Sequence, residues 1–320
     1  MALVVLALAL MATAAVVWGS PARGATEGGQ TQDPPLAAAA SDAGAQAAGV
    51  QAAGVQAPVS FPGQVGEIVE NRTEQRVPTR RYRGSQRFDT AGLIATDAFD
   101  DPTHAVLARG DLFPDALSGS FLAGQLDAPI LLTATDRLTG DTLSALDALA
   151  PDRVTLVGGE AAIGPEVVDQ LTQRGFATER VGGADRFETA SKVATLDDAT
   201  VGQRDGHGPT AIVARADEFA DALVAGTLSY TADFPLLLTG GEQLHPATES
   251  ALQQRAIEHA IVPGGSTAVS DDVVDEIEAL GIDVQRVAGP DRVATSVAFA
   301  QFMREELGFG LDRLNAAIGT

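Results

Sequence analysis

The segment Arg180-Val-Gly-Gly-Ala-Asp-Arg-Phe-Glu-Thr-Ala190 decides how this chain is read, because it returns twice. One copy lies upstream, Arg81-Tyr-Arg-Gly-Ser-Gln-Arg-Phe-Asp-Thr-Ala91, and one downstream, Arg286-Val-Ala-Gly-Pro-Asp-Arg-Val-Ala-Thr-Ser296. The shared frame is Arg-x-x-Gly-x-x-Arg-x-x-Thr-[Ala/Ser], and its copies begin 99 and 106 residues apart. A near-equal period of about one small domain marks a repeat protein, and it sets the unit in which every other motif must be placed.

The text between the frames overlays as well. After each frame, apolar residues recur at spacings of three and four: Phe88, Ala91, Ile94 and Ala95, then Phe187, Ala190, Val193 and Ala194. That period puts one apolar face along a helix. Asp185 and Glu188 have capping-box spacing at the second of these helices, whereas the first has Gln86 and Asp89. The short apolar runs 105–109 and 211–215 read as buried parallel strands. Each leads into a Phe-x-Asp-Ala-Leu loop, with Asp115 equivalent to Asp221. Asp127-Ala-Pro-Ile-Leu-Leu-Thr133 answers Asp233-Phe-Pro-Leu-Leu-Leu-Thr239 as a second strand. Helical segments are expected over 138–149 and 244–259, and later over 165–174 and 271–280. Between them a third strand runs into paired glycines, Gly158-Gly159 and Gly264-Gly265.

Strands alternating with helices across short loops predict an α/β fold of tandem modules, each a parallel β-sheet flanked by helices. Starting a module at each frame gives two complete modules, 80–179 and 180–285, plus a truncated third over 286–320. The opening strand of that third module would begin at Ala316-Ala-Ile318.

Hydrophobic residues make up 45% of the chain but aromatics only 5%, so the cores must be built from Ala, Val, Leu and Ile. Acidic residues number 43 against 21 basic, a net charge of −22, which excludes nucleic acid as a partner because phosphate binding needs a basic face. Such acidity suits a protein kept in solution by self-repulsion outside the cytoplasm or in salt. There is no cysteine, which excludes a disulfide scaffold, thiol catalysis and Cys-ligated metal.

From Ala2 to Val17 the sequence is almost wholly apolar, shorter than the roughly 20 residues that span a bilayer, and Ala22-Arg-Gly24 offers a small-x-small cleavage site. Residues 1–24 therefore read as a secretory signal peptide that leaves no stable membrane span after cleavage, although no Lys or Arg precedes the apolar run. The competing reading is an uncleaved membrane anchor. Residues 25–79 begin with Ala, Gly, Gln and Pro, including tandem Ala-Ala-Gly-Val-Gln at 47–51 and 52–56, and are expected to form a disordered linker.

The four histidines, His104, His207, His245 and His259, occupy no matching places and have no metal-ligand spacing, so neither a metal centre nor a His-dependent hydrolase is expected. Asp115 and Asp221 stand where a strand hands over to a helix, the place where ligands gather in parallel sheets. They either meet a ligand there or brace the second helix. The paired glycines match no nucleotide fingerprint, so no cofactor is expected; close backbone approach or a left-handed turn accounts for them. The arginine pairs Arg81/Arg87, Arg180/Arg186 and Arg286/Arg292 carry the planar fork that suits carboxylate or phosphate. They either lock neighbouring units together or face an anionic ligand.

With the frame, the Phe-x-Asp-Ala-Leu loop, the Pro-[Ile/Leu]-Leu-Leu-Thr strand and the Gly-Gly turn in this order, the chain resembles the type 2 cell-wall-binding repeat. The resemblance runs from Arg80 to the end. It implies α/β modules, usually in threes about a pseudo-threefold axis, that hold a secreted protein non-covalently to the Gram-positive wall through anionic wall polymers. It also implies that the polymer-binding segments are Pro129, Ile130, Leu131 and Leu132, with Pro235, Leu236, Leu237 and Leu238. A non-catalytic, wall-localised protein is the leading expectation. Two alternatives come from other classes: a peptidoglycan hydrolase of the N-acetylmuramoyl-L-alanine amidase type, and a self-associating surface protein whose open third module a neighbouring chain completes.

Overall fold

The computed structural model describes residues 59–61, 64–70 and 76–309. The expected signal peptide, most of the expected linker and residues 316–318 lie outside them. Strands β1 (Val59–Phe61), β2 (Gln64–Glu70) and β3 (Arg76–Arg81) form an antiparallel meander, with β2 and β3 in register from Val65↔Arg81 to Glu70↔Arg76. Up to Thr79 these strands fall within the residues expected to form the linker. The Ala/Gln/Gly composition ends before them, Val65-Gly-Glu-Ile-Val69 brings β-branched residues, and Pro78 sits in an edge strand that tolerates a missing N–H.

The first module runs α1 (Arg87–Ala98), β4 (His104–Arg109), α2 (Pro114–Gln125), β5 (Ile130–Thr133), α3 (Gly140–Leu149), β6 (Arg153–Val157), α4 (Pro165–Gln173) and β7 (Ala177–Val181). The second runs α5 (Arg186–Ala194), β8 (Gln203–Arg204), β9 (Gly208–Arg215), α6 (Phe219–Ala232), β10 (Leu236–Thr239), α7 (Pro246–Gln254), β11 (His259–Pro263), α8 (Asp271–Ala279) and β12 (Asp283–Val287). Helix α9 (Arg292–Glu305) follows. The strand orders are β5-β4-β6-β7 and β10-β9-β11-β12, all parallel, with β8 added antiparallel to β9.

Both faces of each sheet are covered, which is why the strands read as unbroken apolar runs. In β4, Ala105 and Leu107 pack towards α3 and α4 through Leu146, Leu149, Val167 and Leu171, while Val106 faces Phe121 of α2 and Val193 of α5. The second sheet repeats this, with Ala211 and Val213 towards α7 and α8 and Ile212 and Ala214 towards α6 and α9. Helix α7 ends at Gln254, short of the expected His259, because Ala256 turns left-handed (φ 48°) and the chain enters β11.

The frame proves to be a clasp between elements. Arg180 lies in β7 and donates from Nη1 to the Gly158 carbonyl and from Nη2 to the Ile163 carbonyl, both at 2.8 Å. Arg286, in β12, does the same to the Gly264 carbonyl at 3.0 Å and reaches Asp271 Oδ1 at 3.1 Å. The second arginine reaches forward: Arg186 donates to the Ala216 carbonyl at 2.8 Å, and Arg87 to the equivalent Gly110 carbonyl. Frame threonines Thr90, Thr189 and Thr295 accept from the amides of Gly84, Gly183 and Gly289 at 3.1, 3.0 and 3.1 Å. Those glycines lie so close to the helix start that a Cβ at Gly183 would meet Thr189 N at 2.7 Å. Asp185 and Asp291 cap their helices, each accepting at 2.8 Å, from Glu188 N and Ala294 N; Gln86 does not cap.

The frames at 180 and 286 therefore begin inside strands, β7 and β12. Arg180 and Arg286 each belong to the fourth strand of the preceding sheet. The residues read as a truncated third module supply β12's end and α9, whose Phe299, Phe302 and Met303 close the core under the second sheet. The modules also meet directly. Gly124 of α2 lies against the Tyr230 backbone of α6, Gln125 donates to Asp233 Oδ1 at 2.5 Å, and the equivalent rings of Phe113 and Phe219 pack 5.6 Å apart.

Arg180→Ala strips two carbonyls of a charged donor, so urea titration of the whole chain should show a loss of roughly 2–4 kcal/mol. A loss below about 0.5 kcal/mol would contradict the clasp.

Candidate functional site

Two equivalent clefts open at the carboxyl ends of the strands. In the order β5-β4-β6-β7 the chain leaves β4 to one side and returns on the other, so loops after β4 and β6 diverge and leave a crevice. The first cleft, about 420 Å³, is lined by Arg109 and Asp115 after β4, by Gly159 and Glu160 after β6, and by Asp185 and Arg186 of the frame. The second, about 500 Å³, has Asp217, Glu218 and Asp221 after β9, Gly265 after β11, and Asp291 and Arg292 of the frame. Each cleft is thus closed on one side by the frame that follows its sheet.

Asp115 is only 8% exposed, yet among the described residues it accepts no hydrogen bond from the protein. Burial pushes its pKa up to about 6, with Arg109 and Arg186 pulling the other way. Asp221 is also pushed up, by burial first and then by Glu218, against the pull of Arg292. Both carboxyls press on the glycine turn. Gly158 has φ 120°, and a Cβ there would sit 2.8 Å from Asp115 Oδ2; Gly264 has φ 91°, and a Cβ there would clash still more closely with Asp221 Oδ2. Each turn therefore needs glycine both for its conformation and for the approaching carboxyl. Arg109 is held by Asp111, Nε to Oδ1 at 2.7 Å, which lowers the Asp111 pKa through that hydrogen bond; Arg215 and Asp217 repeat the pair.

The clefts differ in charge. The first sets Arg109 and Arg186 against Asp115, Glu160 and Asp185; the second has Arg292 alone against four carboxylates. The Thr189 and Thr295 hydroxyls at the clefts are engaged by the Gly183 and Gly289 amides, and no histidine lines either cleft.

The remaining sequence candidates go elsewhere. Pro129, Ile130, Leu131 and Leu132, with Pro235, Leu236, Leu237 and Leu238, are all buried, and their side chains build the two cores. Arg87, Arg180 and Arg186 bind carbonyls, Arg286 binds a carbonyl and Asp271, and Arg292 lines the second cleft; Arg81 ends β3, and its side chain lies outside the described residues. Sequence spacing also gave no hint that His207, His259 and Asp283 converge, since they are 52 and 24 residues apart. Their only signal was the longer second interval between frames.

The sequence profile of the family "Cell wall binding domain 2 (CWB2)" matches residues 81–168 and 180–274. Among curated proteins the chain is 27% identical over 222 residues to the N-acetylmuramoyl-L-alanine amidase LytC of Bacillus subtilis, covering 69% of this chain and 42% of that protein. It is 31% identical over 214 residues to the amidase enhancer of the same organism, covering 67% of this chain and 28% of that one. The chain thus spans less than half the length of these relatives. Among solved structures, Cwp6 from Clostridium difficile shares the fold at TM-score 0.64 and 23% identity over 76% of this chain and 39% of its own. Cwp8 from Clostridium difficile does so at TM-score 0.59 and 23% identity, over 75% of this chain and 45% of its own. No helix among the described residues is long and apolar enough to cross a membrane.

A carboxyl titrating near 6 when folded and near 3.8 when unfolded binds more protons in the folded state between those values. Its burial therefore costs stability above pH 6, up to about 3 kcal/mol, and the cost vanishes as pH falls below 3.8. Asp115→Asn should raise the melting temperature at pH 8 and leave it unchanged near pH 3.5. A lower melting temperature at pH 8 would mean the carboxylate braces the fold.

Proposed function

This chain belongs to the cell wall binding domain 2 family, and we propose that its two modules hold a secreted protein to the Gram-positive wall without catalysis, by gripping an anionic wall polymer in the two clefts. The observation that carries the proposal is Asp115, buried at the switch point of its sheet with no protein hydrogen bond and aimed into the cleft. A fold under no external demand would neutralise or pair such a group.

In the first cleft the guanidinium of Arg109 receives the polymer's anionic groups, and Asp115 and Asp185 accept from its hydroxyls. The second cleft, rich in carboxylate, takes the hydroxyl face of the same chain or an anionic group through a bridging divalent cation. Each grip is weak, and two clefts on one chain multiply into avidity. The buried Pro-[Ile/Leu]-Leu-Leu strands serve by fixing the sheet whose ends form the clefts. Secretion through the N-terminal apolar segment brings the chain to the wall.

The hydroxyls of Thr189 and Thr295, tied to backbone amides, and the absence of histidine from the cleft linings support binding over hydrolysis. The amidase activity in the name of one relative stays with that protein, of which this chain spans 42%.

Sedimentation with purified walls tests the proposal. The chain should be retained on intact walls and lost from walls extracted of anionic polymer, and Asp115→Asn with Asp221→Asn should weaken retention at least tenfold without lowering the melting temperature. Equal retention on extracted walls would overturn it.

A further inference from the structure

The two modules differ by an insertion, and the insertion builds something the first module lacks. From frame to first strand the second module is longer by seven residues, and the extra chain forms the β8–β9 hairpin. That hairpin carries His207 to the amino-terminal edge of the second sheet, opposite the clefts, where His259 opens β11 and Asp283 opens β12. The equivalent places in the first module are Arg153 and Ala177. The first sheet forms without the cluster, so the fold does not require it.

We propose that His207, His259 and Asp283 form a site for a divalent transition metal of the Zn²⁺ class, which pins the hairpin to the sheet. One ligand atom from each lies within 4.8 Å of the others, with His207 Nδ1 at 3.2 Å and His259 Nε2 at 3.8 Å from Asp283 Oδ2. Ligands about 2.0–2.1 Å from a tetrahedral metal stand roughly 3.4 Å apart, so two of these separations already fit within a few tenths of an ångström. Two imidazoles and one carboxylate leave a fourth position for water, and nitrogen donors discriminate against Mg²⁺ and Ca²⁺.

The tautomer of His259 supports the assignment. Its ring is fully buried, and Nε2 lies 3.2 Å from Arg204 Nη1, which can only donate. Nε2 therefore carries the lone pair and faces the cluster, while Nδ1 has no hydrogen-bond partner among the described residues. Arg204 is the competing cation. It has other anchors, Glu306 Oε2 at 2.6 Å and Gln285, so the metal can take its place at Nε2 while the guanidinium stays on Glu306. Asp283 and Glu306, with Glu258 beside Gly208, leave the surroundings acidic despite Arg204.

The untagged full chain, treated with chelator and dialysed, is titrated with Co²⁺ and followed by visible absorption, then by Zn²⁺ competition and melting. Expected are one equivalent of Co²⁺ with ligand-field bands of four- or five-coordination, displacement by Zn²⁺, and a Zn²⁺-dependent rise in melting temperature absent with Mg²⁺. His207→Ala and Asp283→Asn, both on the solvent side of the site, should each weaken binding at least 100-fold while the metal-free chain melts as before. No bands, or bands unchanged in both variants, would overturn the proposal.

Discussion

Everything in this structure hangs on arginine forks that donate to backbone carbonyls at the ends of parallel strands. A carbonyl leaving the sheet at a tight glycine turn has no strand partner, and burial without one is costly. Arg180 satisfies two such carbonyls behind it, and six residues later Arg186 satisfies another ahead of it. One short segment thereby ends one sheet, starts the next module's first helix and fixes the distance between them. The intervening Gly183 and Thr189 are needed so that the segment can fold back on that helix.

The same geometry creates the clefts. A sheet whose chain leaves its second-position strand in two directions has a crevice at its carboxyl end, and the clasp supplies the missing wall. Asp115 and Asp221 stand in these crevices against glycine turns that leave no room for a side chain. Burial raises the Asp115 pKa, so its carboxylate works against folding above that pKa, and it is to this position that the binding proposal looks. The two clefts are related by sequence but not by charge, which suits one polymer presenting different faces to each.

The period of the frame and the alternation of apolar runs made the α/β modules legible, since strand burial on both faces and helix periodicity are local signals. The placement of Asp115 at a strand end was legible for the same reason. Which side of the frame each arginine serves was not, because a carbonyl partner leaves no mark in side-chain identity. Reading the frame as a sequence boundary did not reveal that Arg180 and Arg286 pair into the sheet that precedes them. The Pro-[Ile/Leu]-Leu-Leu segments are buried in the cores, so packing alone accounts for their repetition. The convergence of His207, His259 and Asp283 depends on an inserted hairpin folding across three strand starts, a tertiary fact without any spacing rule.

The central claim is that the wall polymer sits in the two switch-point clefts. Amide chemical-shift mapping with solubilised wall polymer tests it most directly. The account predicts shifts clustered at Asp115, Gly159 and Asp185 and at their counterparts Asp221, Gly265 and Asp291. Shifts confined to the opposite ends of the sheets or to the outer helices, with the cleft amides unmoved, would contradict it.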